Sequence, residues 1–151
     1  MTNSMKRIVC AVRGGPESRV TITKAINLAA EHSARLTFFH VVDAEFLSYA
    51  STGGALSVIY NELHEMGVFA MLILVDRAQR RGVENVDYLV REGNIRKNLH
   101  QFAIETSAEI MVMGRPTRSP GSNVFKADDF DEFVAQLEAA GALKIVSVSQ
   151  V

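Results

Sequence analysis

The sequence predicts an α/β chain folded as a doubly wound parallel sheet between helices, and three observations predict it. Short apolar runs rich in β-branched residues recur along the chain at 7–12, 36–42, 110–113 and 144–149. Segments whose apolar residues repeat at helical spacing separate them, and turn formers close nearly every run. Buried strands joined through helices make a parallel sheet, with right-handed crossovers and the loops after the strands gathered on one rim. Ligands of open α/β folds bind at that rim.

The elements follow in order. Residues 7–12 (RIVCAV) are apolar on both sides, as a fully buried strand requires, and Arg13-Gly14-Gly15-Pro16 turns the chain. Val20, Ile22, Ala25, Ile26 and Ala29 then mark a helix, with Pro16 tolerated near its start. Residues 36–42 (LTFFHVV) form a second buried strand ended by Asp43. A Gly-, Ser- and Ala-rich stretch at 48–57 reads as a loop, and a long helix runs from about 56 to 81. Within it Val68 to Val75 (VFAMLILV) is apolar all round, so part of that surface needs a partner other than the sheet.

Residues 86–90 form a third, more exposed strand, and Glu92-Gly93-Asn94 makes a turn. Ile95, Leu99, Phe102 and Ala103 mark the next helix, and 110–113 (IMVM) a short strand ending at Gly114. After a polar loop to 127, Phe130, Phe133, Val134 and Leu137 mark the last helix, with Asp128 as its cap and Gly141 as its stop. Residues 144–149 (KIVSVS) complete five strands and four helices in one domain, 1–151.

Composition excludes several function classes. Sixteen Lys and Arg balance 17 Asp and Glu in 151 residues, a net charge of −1, so no global field recommends a nucleic acid or an acidic membrane. The single cysteine, Cys10, rules out an internal disulfide and favours a reducing, cytoplasmic setting. The first residues lack the apolar stretch of a secretory signal, and no uninterrupted apolar run approaches the ~20 residues that span a bilayer, so membrane insertion is not expected. His32, His40, His64 and His100 have no metal-ligand spacing, and no metal site is expected. No nucleophile, base and orienting group come together in the pattern, so no catalytic residue is assigned.

Three stretches, IVCAVRGGPESRVTITKAINLA, FFHVVD and VREGNIRKNLHQFAIETSAEIMVMG, match in order and spacing and together resemble the universal stress protein family. The resemblance implies strand order 3-2-1-4-5, a homodimer, and in some members a cleft for ATP or another adenine nucleotide with Mg²⁺. Such members carry a loop Gly-x2-Gly-x9-Gly-Ser/Thr after the fourth strand, whose glycines let backbone approach phosphate. Here Gly114 stands at the first position and Thr117 at the second, and Ala127-Asp128 falls at the last pair unless a shorter loop uses Gly121-Ser122. Arg13 replaces the acidic residue expected after the first strand.

The candidate nucleotide residues implied by the resemblance are therefore Ala11, Val12, Arg13, Val41, Gly114, Arg115, Thr117, Gly121, Ser122 and Asn123. Against them stands the acidic start of the last helix, Asp128-Asp129-Phe130-Asp131-Glu132, which suits the helix dipole but repels phosphate. The expectation is a dimeric, non-catalytic stress-response and interaction domain with weak or absent nucleotide binding. The alternative is an adenine-nucleotide-binding member with slow hydrolysis.

Overall fold

The computed structural model of the chain describes residues 6–13, 18–43, 54–115, 127–141 and 143–149. The strands are β1 (Arg7–Val12), β2 (Arg35–Val42), β3 (Val86–Glu92), β4 (Ile110–Gly114) and β5 (Lys144–Val148). Between them run α1 (Ser18–His32), α2 (Gly54–Arg80), α3 (Ile95–Glu105) and α4 (Ala127–Ala140). All registered pairs are parallel and the sheet order is β3-β2-β1-β4-β5, as the resemblance implied.

Alternation along the strands builds two cores. Ile8, Cys10, Leu36, Phe38 and Val112 face one side, where Ile22, Ala25, Ile26 and Ala29 of α1 and Met71, Leu74 and Ala78 of α2 cover them. Val9, Phe39, Val41, Met111, Met113 and Ile145 face the other, under Leu99, Phe102 and Ala103 of α3 and Phe130, Phe133 and Leu137 of α4. The central strands are buried on both faces, which is why they appear in sequence as continuous apolar runs. On the second face Phe39 and Phe102 stack with centroids 4.3 Å apart, and the Arg91 guanidinium lies within 6 Å of both rings. Arg91 also pairs with Glu105 at 2.6 Å.

Four expectations need correction. Helix α2 begins at Gly54, so residues 54–57 are helical rather than loop. Strand β3 continues to Glu92, and the turn reduces to Gly93 (φ 117) with Asn94 capping α3 by accepting from the Lys97 N–H at 2.9 Å. Helix α4 starts at Ala127, which places Asp128 inside its first turn rather than at the cap. Gly141 does end α4, but for a different reason than a left-handed backbone: an added Cβ would lie 2.4 Å from the Ala103 carbonyl oxygen.

Candidate functional site

The rim at the carboxyl ends of β1, β2 and β4 is shaped by a parting of strands. Pairing of β1 with β4 runs from Ile8–Ile110 to Cys10–Val112, whereas β4 stays registered with β5 as far as Gly114–Val148, and the Arg115 N–H continues that ladder to the Val148 carbonyl at 2.8 Å. Beyond Cys10 the two central strands therefore follow different neighbours. This is the topological switch point, where the first crossover leaves to one side and the third arrives from the other.

A cavity of about 610 Å³ opens beside the ends of β1 and β2, walled by α1 and α2. Val12, Arg13 and Val41 line it, so three of the predicted site residues come together here. The Val42 carbonyl accepts from Gly93 N–H on the β3 side, and alternation turns the Val41 main chain toward β1, level with the residue after Val12. A main-chain contact to a flat heterocycle is available at that position by geometry alone. Arg19 of α1 and Arg77 of α2 join Arg13 on the lining, against Asp43 as the one lining carboxylate, so the described walls favour an anion.

His40 forms the floor. Its Nδ1 lies 2.9 Å from the Val12 carbonyl oxygen, which only accepts, so Nδ1 carries the proton. A Cβ at Gly67 would meet the His40 ring at 3.1 Å, and this glycine is what lets α2 lie against the histidine. His40 is thus half-buried, held by the Val12 main chain on one side and open to the cavity on the other. Nearer the start of α2, Tyr60 bonds Glu92, and His64 Nδ1 sits 3.0 Å from Glu92 Oε1 without hydrogen-bond geometry. These ties fix α2 to the end of β3.

The phosphate half of the predicted site is arranged differently. Ala11 packs against the α3/α4 core rather than lining the cavity. Arg115 leaves β4 and turns onto α4, where its guanidinium stands 3.2 Å from Asp131 Oδ1, 3.5 Å from Ser147 Oγ and 5.4 Å from the centre of the Phe130 ring. The acidic start of α4 is thus engaged by the cation nearest the loop. Gly114 keeps its place at the end of β4. Thr117, Gly121, Ser122 and Asn123, with Arg118, Ser119 and Lys126, lie outside the described residues.

Among the described residues no group of three or more His, Cys, Asp or Glu side chains is placed to hold a metal ion. Cys10 is fully buried, and burial pushes its thiol up to about 12, which removes it as a nucleophile. Sequence reasoning missed the contributions of Arg19, Arg77 and Gly67 to the cavity. Their signal is three-dimensional, since each lies on a helix face that only the crossover geometry brings to the strand ends.

Fold and rim define the class first: a doubly wound α/β domain with an open switch-point cleft. The model of the universal stress protein family matches residues 5–127, and the chain belongs to that family. No curated protein matches it. Solved structures share its fold: universal stress protein UspA from Lactobacillus plantarum has 18% identity over 97% of this chain and 99% of that one, with a TM-score of 0.74. A universal stress protein in complex with cAMP has 16% identity over 99% and 100%, with a TM-score of 0.62. One from Archaeoglobus fulgidus in complex with dAMP has 14% identity over 97% and 98%, with a TM-score of 0.53.

Proposed function

We propose that this protein is a dimeric, non-catalytic stress-response domain of the reducing cytoplasm that acts through association and binds nucleotide weakly or not at all. The observation that carries the reading is the position of Arg115. A cation directly after β4 is suitably placed to meet a phosphate, yet here it points onto α4, 3.2 Å from Asp131 and over the Phe130 ring, in a pair whose side chains are 42% and 67% exposed. Turning it toward a ligand costs little for so exposed a pair, but leaves Asp131 facing the incoming charge.

A second reading is supported by the cavity at Val12, Arg13 and Val41, with its arginine-rich lining, and by the adenine nucleotides held by two of the similar structures. In that reading Val41 receives the base, Arg13 and the 114–123 loop receive the phosphates with Mg²⁺, and hydrolysis is slow.

Heat release of copurified small molecules, followed by calorimetric titration with ATP and magnesium, tests both. Under the proposal the supernatant carries no stoichiometric nucleotide and any affinity is weaker than about 1 mM. Stoichiometric nucleotide, with an affinity reduced at least tenfold in Arg115→Glu, would replace it with the second reading.

A further inference from the structure

The cavity beside the ends of β1 and β2 has two chemically different parts. At the strand ends Arg13 follows β1, and Ser18 and Arg19 open α1, whose first turn carries no acidic residue. Along α2 the wall is Leu63, Met66, Ala70, Ile73 and Leu74, with Gly67 among them, and Ile22 of α1 joins it. Glu62, Glu65 and Asp76 of the same helix do not line it, and Arg77 follows its last apolar residue. From residue 63 to residue 74 this wall runs about 16 Å along the helix.

The lining suits a chain better than a heterocycle. Among the described residues no Phe, Tyr or Trp lines the cavity, so no such ring is offered for a purine to stack on. The wall is aliphatic, and the thioether of Met66 adapts to groups of varied shape. Met66 and Ile73 stay 67% and 50% exposed on it. Helix α2 as a whole is more apolar than covering a sheet demands. Over Val58–Arg80 it is long and apolar enough by length and composition to cross a membrane, with a mean hydropathy of 1.4, although one apolar stripe suffices for packing. An apolar wall left open beside a cluster of cations marks a binding surface.

We infer that the cavity holds an anionic amphiphile, a single aliphatic chain lying along α2 with a carboxylate or phosphate head at Arg13 and Arg19. An extended chain advances roughly 1.3 Å per carbon, from carbon–carbon bonds of about 1.5 Å, so about twelve carbons match the wall. The cavity volume, about 610 Å³, lies within the range of small-ligand sites, and a mostly apolar lining with a few charged groups is their usual chemistry. The planar guanidinium fork receives either head in the same two-pronged way. Asp43 follows β2, one strand over from Arg13, and leaves an excess of three arginines over one carboxylate on the lining.

The inference deepens the reading in which nucleotide binds weakly or not at all and rests on it, since chain and base would compete for the one cavity beside Val41. It also has a signature of its own. Each methylene buried against the wall tightens binding about fourfold, so two carbons are worth about fifteenfold until the wall ends. Adsorption to an open surface or to a bilayer has no such end point.

Calorimetric titration of the full chain with octanoate, decanoate, dodecanoate and hexadecanoate, each below its micellar concentration, tests the inference. One site per chain is expected, with affinity rising about fifteenfold per two carbons to dodecanoate and then levelling. Arg19→Glu should weaken dodecanoate at least tenfold and leave dodecanol within about twofold, because only the head is touched. Ala70→Phe, at an exposed position on the wall, should weaken both. Dodecyl phosphate binding tighter than dodecanoate assigns a phosphate head and the reverse a carboxylate; either upholds the site. No saturable binding overturns it, as does an affinity that still climbs at hexadecanoate or ignores both variants. Binding to anionic vesicles without binding of dodecanoate gives the wall to a membrane instead. ATP with magnesium, titrated in parallel, separates the two readings. Stoichiometric ATP displaced by dodecanoate removes the weak-nucleotide reading and keeps the amphiphile, whereas a protein that takes neither removes the amphiphile alone. Unchanged thermal melts distinguish these losses from misfolding.

Discussion

Replacing Gly141 with alanine removes no interaction and adds a single methyl group, yet it is expected to destabilise the protein. The new Cβ would lie 2.4 Å from the Ala103 carbonyl oxygen and 3.1 Å from its carbon. That is about 1 Å inside normal contact, and the obstacle is backbone. Ala103 is 1% exposed in the last turn of α3, so relief requires the ends of α3 and α4 to separate. Overpacking of this kind costs about 1–3 kcal/mol, against which the stiffer unfolded chain returns about 0.4–1 kcal/mol. The net loss is about 1–2 kcal/mol, and at 2–4 °C per kcal/mol for a chain of this size the melting temperature falls by about 5 °C. Urea and thermal melts read the loss directly, and amide shifts in α3 should report the displacement. A variant as stable as the wild type, or more so, would refute the argument from close approach.

Two further outcomes follow from the titrating groups. Cys10 should remain unreactive toward a thiol reagent at about pH 8 until the protein unfolds, since burial holds its proton up to about 12, and a native reaction rate near that of a free thiol would contradict its burial. Hydrogen bonds from Arg91 and then Gln101 hold the Glu105 carboxyl below its usual range. A carboxylate held down in the folded state contributes stability above its unfolded value, and this is lost as pH falls through the folded value. Glu105→Gln should therefore be less stable than the wild type at about pH 7 and converge with it near pH 3, by urea midpoints at both; a gap that persists in acid would tie the loss to packing instead.

The five strands were legible because burial on both faces writes strands 1, 2 and 4 as continuous apolar runs, whereas their order came only from the family resemblance. The start of α2 was not legible, since residues 54–57 carry loop composition and are held helical by the long element that follows. At the site, Val12, Arg13 and Val41 fall on one cavity because strand ends have a fixed place in this topology. The setting of Arg115 was hidden, as it depends on Asp131 sixteen residues away arriving one helix turn inside α4. Gly141 was recognised as a stop, but its reason lies in a carbonyl 38 residues distant.

The distribution of sulfur has a consequence for a protein of this family. Cys10, Met71, Met111 and Met113 are at most 4% exposed, whereas Met66 is 67% exposed. Among the described residues, an oxidant therefore meets one accessible sulfur, and it lies on the outer strip of α2. Conversion of that thioether to the sulfoxide would plant a polar group beside Phe69 while leaving both cores untouched. Oxidative chemistry would reach the outer side of α2, at the mouth of the cavity, before it reached the fold, an order that peptide mapping after graded peroxide exposure would reveal.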